Sequence, residues 1–241
     1  MLPRHHTIHG VSLGILMLDT GFQRLPGDIG NAMSWSFPVL YKVIEKASQE
    51  AFFSQGSETF LEAFLDGCHE LAALGVSGIA TSCGFLARLQ PELSARSPVP
   101  VVTSALMQIP MVRQLIGAGR DLAVLTTDAA ALSVAHFAGV GVAEIPPVAG
   151  LSPEGALRRD LSGNAATVDA AAQEAELIAS AQALIAAQGG RIGALLLECT
   201  NMAPHSAALR RATGLPVFDA VSLVTWFHSA LAGQPRTGNF N

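Results

Sequence analysis

Ala194-Leu195-Leu196-Leu197-Glu198-Cys199-Thr200-Asn201-Met202-Ala203-Pro204 is the stretch on which the reading of this chain turns. Its apolar run predicts a buried strand, and the small polar cluster after it predicts a strand-to-helix turn, with helix resuming over 205–212. Cys199 then stands at the carboxyl end of a strand, where open α/β sheets bind their ligands. A thiol beside a helix N-terminus faces free backbone N–H groups and the positive end of the helix dipole, both of which favour the thiolate.

The arrangement occurs a second time. Val76-Ser77-Gly78-Ile79-Ala80-Thr81-Ser82 leads into Cys83-Gly84-Phe85-Leu86, and the same interval separates Cys83 from Pro100 and Cys199 from Pro216. Upstream, the apolar run from Leu13 ends in Asp19-Thr20, as the run from Leu122 passes Thr127 to Asp128. These matches predict two pseudo-equivalent α/β halves with parallel sheets, each contributing one cysteine. The expected boundaries are 1–104 plus 218–241 for the half carrying Cys83, and 105–217 for the half carrying Cys199. The final helix, over 220–231, is expected to return to the first half.

Composition narrows the function. The chain has 241 residues, of which 50% are hydrophobic and 14% charged, enough for a substantial core. A net charge of -5 argues against nucleic acid or an anionic membrane as partner. No apolar run approaches the roughly 18 to 20 residues of a membrane span. Arg4, His5 and His6 ahead of a short apolar run mimic a signal peptide, but the run ends in Asp19-Thr20-Gly21 and matches the internal strand at Leu122, so a cytoplasmic location is expected. Three sparse cysteines fit reduced thiols. No ligand-spaced His/Cys cluster predicts a metal, and lysine occurs only at Lys42 and Lys46, leaving few candidates for a pyridoxal phosphate Schiff base. The expected enzyme uses no cofactor.

Between the motifs, periodicity predicts strands over 39–44, 100–103, 121–126 and 142–148, the last closed by Pro146-Pro147. Helices are expected over 57–74, 128–137 and 167–188, with a short one after Cys83 interrupted by Pro91 and one capped by Ser104. Cys68 falls on the apolar stripe of the 57–74 helix and reads as core. Residues 20–38, rich in Gly, Pro, Asp and Asn, form a long connection at a strand's carboxyl end, read either as a lid or as a surface excursion anchored by Trp35 and Phe37. Arg24 within it reads as a solvated side chain, with binding of a distal carboxylate as the alternative. The tail over 233–241 reads as loose.

Two thiols on opposite sides of one crevice suit a reaction that removes a proton from one face of a carbon and delivers one to the other. Backbone N–H groups after Cys83 and Cys199, with Ser82, Thr127, Thr200 and Asn201, are candidate donors to a substrate carboxylate. Alternation along its strand turns Glu198 away from Cys199, so it reads as a partly buried structural carboxylate.

Thr81-Ser82-Cys83-Gly84-Phe85, Glu198-Cys199-Thr200-Asn201-Met202 and Leu18-Asp19-Thr20-Gly21 together resemble the aspartate/glutamate racemase superfamily. The resemblance implies two flavodoxin-like α/β domains with the site in the cleft between them, no cofactor, and Cys83 and Cys199 as paired acid and base. It places Asp19, Thr20, Gly84, Phe85 and Thr200 at the substrate. Cys199-Thr200-Asn201 is also similar to the maleate isomerase and arylmalonate decarboxylase branch, although those decarboxylases use a single cysteine. The expected activity is racemisation or epimerisation of a small carboxylate-bearing amino acid or related compound. A maleate-type cis-trans isomerase, a hydantoin racemase-like enzyme and a silent two-lobed binding protein are the alternatives, with homo-oligomerisation left open.

Overall fold

The computed structural model describes residues 10–231, so the Arg4, His5 and His6 stretch and the tail over 233–241 lie outside the described residues. Eight strands form two four-stranded sheets, both parallel. The first contains β1 (Leu13–Leu18), β2 (Val39–Ile44), β3 (Gly78–Thr81) and β4 (Val101–Val102) in the order β2-β1-β3-β4. The second contains β5 (Asp121–Thr126), β6 (Val148–Gly150), β7 (Ile192–Leu197) and β8 (Val217–Phe218) in the order β6-β5-β7-β8. The two orders are the same order, and the duplicated cysteine motifs occupy the same place in each sheet.

The central strands β1, β3 and β7 are buried along their whole length, as continuous apolar runs in a parallel sheet require. Alternate residues sort to different cores. Leu16 and Leu18 of β1 join Phe64, Leu65, Cys68 and Leu71 of α2 (Leu61–Leu74), whereas Leu13, Ile15 and Met17 pack with Leu223, Val224 and Phe227 of α9 (Ala220–Leu231). In the second half, Ala123 and Leu125 with Leu195 and Leu197 meet Leu177, Ala181 and Leu184 of α7 (Ala170–Ala187). Their neighbours Leu122, Val124, Ala194 and Leu196 turn inward to the cluster that contains Leu16 and Phe64. One apolar core therefore runs across both halves. Among the described residues no helix is long and apolar enough to cross a membrane.

The remaining helices are α1 (Gln49–Gln55), α3 (Gln90–Arg96), α4 (Ile109–Leu115), α5 (Val134–Gly139), α6 (Ala156–Ser162) and α8 (Ser206–Thr213). Three expectations need correction. Pro91 does not interrupt a helix but sits in the first turn of α3, where its missing N–H would have had no partner. The helix expected over 128–137 begins only at Val134, because the Asp128 carboxylate accepts the N–H groups of Ala130 and Ala131 and holds a turn instead. The strand expected over 142–148 begins at Val148, so Pro146-Pro147 lead into it rather than close it, and Pro147 lends its carbonyl to Val124 N–H at 2.8 Å.

The start of α9 ties the halves together. The Asp219 carboxylate accepts the Ser222 N–H at 2.7 Å and the Ser206 hydroxyl, while Gln108, just ahead of α4, donates to the Asp219 carbonyl at 3.0 Å. Asp219→Ala removes a helix cap and strands a buried hydroxyl, and should lower unfolding free energy by about 2–3 kcal/mol in urea titration. A change below about 0.5 kcal/mol would show that the capping network contributes nothing.

Candidate active site

Each cysteine is carried by a strand end and a 3-10 turn. Ser82 extends β3 by bonding its N–H to Leu16 O and accepting Leu18 N–H on its hydroxyl at 3.0 Å. Cys83 follows in extended conformation, and the 3-10 turn over Gly84–Leu89 points the N–H groups of Phe85 and Leu86 at its sulfur. In the second half, Glu198 N–H bonds Leu125 O, Cys199 follows in extended conformation, and the turn over Thr200–His205 points Asn201 N–H at the Cys199 sulfur. The two turns touch. Thr200 donates its hydroxyl to Ser82 O at 2.8 Å, and a Cβ built on Gly84 would lie 2.1 Å from Glu198 Oε1. No side chain fits at position 84, so glycine is what lets the turns approach.

Both cysteines line one pocket of about 40 Å³ with Thr20, Ser82, Gly84, Thr127, Thr200 and Asn201. Leu18, Phe22, Arg24, Phe52 and Leu161 complete the wall. Thr20, Thr127 and Leu161 also border a larger neighbouring groove of about 740 Å³. Two residues proposed from sequence stand apart from the pocket wall. Asp19 is exposed and accepts the Lys46 N–H at 3.3 Å, so its carboxylate shapes the loop after β2. The Phe85 ring is buried edge-on against His136, and this residue serves the site through its backbone N–H.

Residues 20–38 cross from the first half to the second. Gly21 N–H bonds the Asn164 side chain, Gln23 N–H bonds Ala165 O, and Gln23 Oε1 accepts Val168 N–H, all between 2.8 and 2.9 Å. Arg24 is not solvated as expected. Its side chain is 12% exposed, pairs with Asp28 at 2.8 Å, donates to Thr20 Oγ1 at 3.0 Å and lies 4.5 Å from the centre of the Phe22 ring. Asp28, 2% exposed, also accepts the Asn201 amide at 2.5 Å, so one buried carboxylate orients a cation and an amide at the pocket. Asp28 escaped the sequence reading because Pro26-Gly27-Asp28 reads as a turn. Its spacing of four residues from Arg24 is the signal that was present.

Electrostatics reverse one expectation. The N–H groups at both turns do favour thiolate, but burial outweighs them, and Glu198 adds to it. Cys83 is pushed up to about 12 and Cys199 well above the ordinary thiol value. Glu198 is completely buried rather than partly so, and burial pushes its carboxyl up to about 7 against the Thr126 hydroxyl, which donates to Oε2 at 2.7 Å. Its Oε1 has no hydrogen-bond partner. Cys68 is core, as expected, and burial raises it to about 11. Among the described residues, no group of three or more His, Cys, Asp or Glu is placed to hold a metal ion.

With both thiols neutral in the free protein, iodoacetamide labelling of Cys83 and Cys199 should be slow at pH 7 and still rising at about pH 9. Peptide mapping by mass spectrometry across pH checks this. Labelling at either cysteine that has already reached its maximum by about pH 8 would contradict it.

Residues 41–227 match the family model described as Asp/Glu/Hydantoin racemase. A dimethylsulfoniopropionate lyase of Durusdinium sp. clade D is 31% identical over 239 residues, spanning 96% of this chain and 78% of the relative. Dimethylsulfoniopropionate lyase 5 of Emiliania huxleyi is 31% identical, and the match covers 94% of this chain but 47% of that protein, so the chain spans about half its length. Among solved structures, an arylmalonate decarboxylase variant superposes with a TM-score of 0.65 at 17% identity, covering 94% of this chain and 97% of that one. Allantoin racemase from Klebsiella pneumoniae gives 0.62 at 19% identity, covering 92% and 87%, a likeness of fold. The family match over most of the sequence and the relative aligned along 96% of this chain lead to one conclusion: this chain belongs to the Asp/Glu/hydantoin racemase family.

Proposed function

We propose that the chain is a cofactor-independent enzyme that removes the proton α to the carboxylate of a small substrate, with Cys83 and Cys199 as its acid/base groups. The observation that carries this is the meeting of both cysteines in one pocket from equivalent strand ends. Carboxylates make weak carbon acids, so the step needs a base at the α-carbon and donors that stabilise the enolate as charge moves onto its oxygens. Arg24, Thr20, Thr127 and Asn201 supply those donors at the wall, Asp28 fixes Arg24 and Asn201 in place, and the Thr200 hydroxyl, already donated to Ser82 O, is not among them. Phe22, Phe52 and Leu161 exclude water around the reacting carbon. The lobes meeting there are taken as 1–104 plus 218–241 and 105–217.

The fate of the carbanion sets the reaction. Where the substrate carries a β leaving group, the electron pair forms a C=C bond as the leaving group departs. For dimethylsulfoniopropionate this means loss of the α-proton to a cysteine thiolate, cleavage of the carbon–sulfur bond, and release of dimethyl sulfide and acrylate. The names of the relatives, 31% identical along 96% and 94% of this chain, favour this elimination. Where no leaving group is present, the second thiol reprotonates the opposite face and the outcome is racemisation. The duplicated cysteine favours that second reading.

Incubation in deuterium oxide with dimethylsulfoniopropionate, aspartate, glutamate and hydantoins, read by mass spectrometry and headspace sulfide analysis, decides between them. Release of dimethyl sulfide is the expected result. Cys83→Ser and Cys199→Ser should each lower the rate by about a hundredfold or more, because a hydroxyl is a far weaker acid and base near neutral pH. Identical deuterium exchange on every substrate by folded wild type and both variants would reject proton abstraction by these thiols. Activity should survive EDTA and hydroxylamine; loss restored by adding a metal or pyridoxal phosphate would overturn cofactor independence.

A further inference from the structure

The two cysteine turns are equivalent in backbone but not in the residue that precedes the thiol. In the first half it is Ser82, whose hydroxyl is satisfied by Leu18 N–H. In the second it is Glu198, which has no counterpart and is 0% exposed. Within its own half Oε2 takes the Thr126 hydroxyl, and across the seam Oε1 lies unpartnered above Gly84, the residue next to Cys83. A buried carboxyl oxygen without a donor is costly when ionised, and a structural role would be served as well by glutamine.

We propose that Glu198 is a positioning residue, a single buried carboxyl shared by both cysteine turns, whose gain or loss of a proton decides how readily Cys83 and Cys199 become thiolates. This rests on the reading that both thiols carry the chemistry. The titratable groups facing Glu198 are the two cysteines themselves, and its negative charge opposes ionisation of each. Arg24 and Asp28 face the thiols from the loop, with Arg24 easing ionisation of Cys83 and Asp28 opposing that of Cys199. Arg88, further along the first turn, is engaged by Glu58. Protonated Glu198 leaves the pocket free to hold one negative charge on sulfur. Ionised Glu198 already supplies that charge, and a second is disfavoured in so dry a site.

The sign follows from burial. A carboxyl whose proton is held more tightly folded than unfolded contributes most stability at low pH, and that contribution is lost as pH rises from about 4.5 to about 7. Glu198→Gln keeps the shape and cannot titrate. Three readouts, none requiring substrate, test the proposal. Melting temperature of E198Q relative to wild type should rise as pH goes from 5 to 8. Iodoacetamide labelling of Cys83 and Cys199 at pH 8.5 should be roughly three- to tenfold faster in E198Q, since an opposing charge has gone. Thr126→Val removes the donor that favours the ionised form and should move the wild-type pH-dependent loss of stability to higher pH, a measurement that stands if E198Q does not fold. Melting differences flat in pH, with labelling unchanged in folded E198Q, would overturn the proposal. So would a pH-dependent loss that Thr126→Val leaves in place. Because labelling and melting involve no turnover, they remain decisive even if the cysteine variants reject proton abstraction.

Discussion

The contact on which the molecule depends is the approach of one cysteine turn to the other. Thr200 bonds the Ser82 carbonyl across the seam, and Glu198 lies on the bare Cα of Gly84. Backbones this close fix the distance between the strand ends of two separate sheets. The apolar cluster that runs from Leu16 and Phe64 to Val124 and Leu196 supplies the driving force, because separating the halves would expose it to water. The polar contacts supply the register.

A second layer of constraint comes from the loop over 20–38. Its backbone N–H groups, donated to Ala165 O and the Asn164 side chain, and its Gln23 side chain, which accepts Val168 N–H, close one side of the pocket with residues of both halves. Within it, Asp28 is held by Arg24, by the Asn201 amide and by its own Gly30 N–H. With three donors on its two oxygens, this carboxylate acts by holding other groups still. The pocket is therefore built from fixed dipoles and one fixed cation, the arrangement that costs least reorganisation when charge develops on a substrate oxygen.

The duplicated strand, turn and proline spacing made the two parallel sheets legible in the sequence, because a buried parallel strand must be apolar throughout and the turn residues after it are few. β2, β5 and α9 run over the residues that periodicity indicates. What periodicity misplaced were segments where local side-chain bonding competes with the helix, as at Asp128, or where proline removes a donor, as before Val148. At the pocket, Thr20, Ser82, Cys83, Gly84, Thr127, Cys199, Thr200 and Asn201 were legible as strand-end residues. Phe22 and Arg24 of the loop, Phe52 of α1 and Asp28 behind the wall were not, because they are brought to the pocket through tertiary folding that no period encodes. The ionisation of the thiols was misjudged for a related reason. Local N–H groups can be read from a turn, whereas desolvation depends on everything that covers it.

The mismatch between Ser82 and Glu198 has a consequence for any reaction that treats the two faces of a carbon alike. Ser82 lines the pocket beside Cys83, whereas Glu198 lies buried behind Cys199 and out of the wall, so the two faces of a carbon held between these thiols experience different fields. For interconversion of mirror-image molecules the equilibrium constant is fixed at one by the symmetry of the free enantiomers, and no active site alters it. Unequal walls must then be absorbed by compensating kcat and KM values, with kcat/KM the same in both directions. Elimination carries no such constraint, and for it the inequality of the two walls can be expressed fully as a preference for one face.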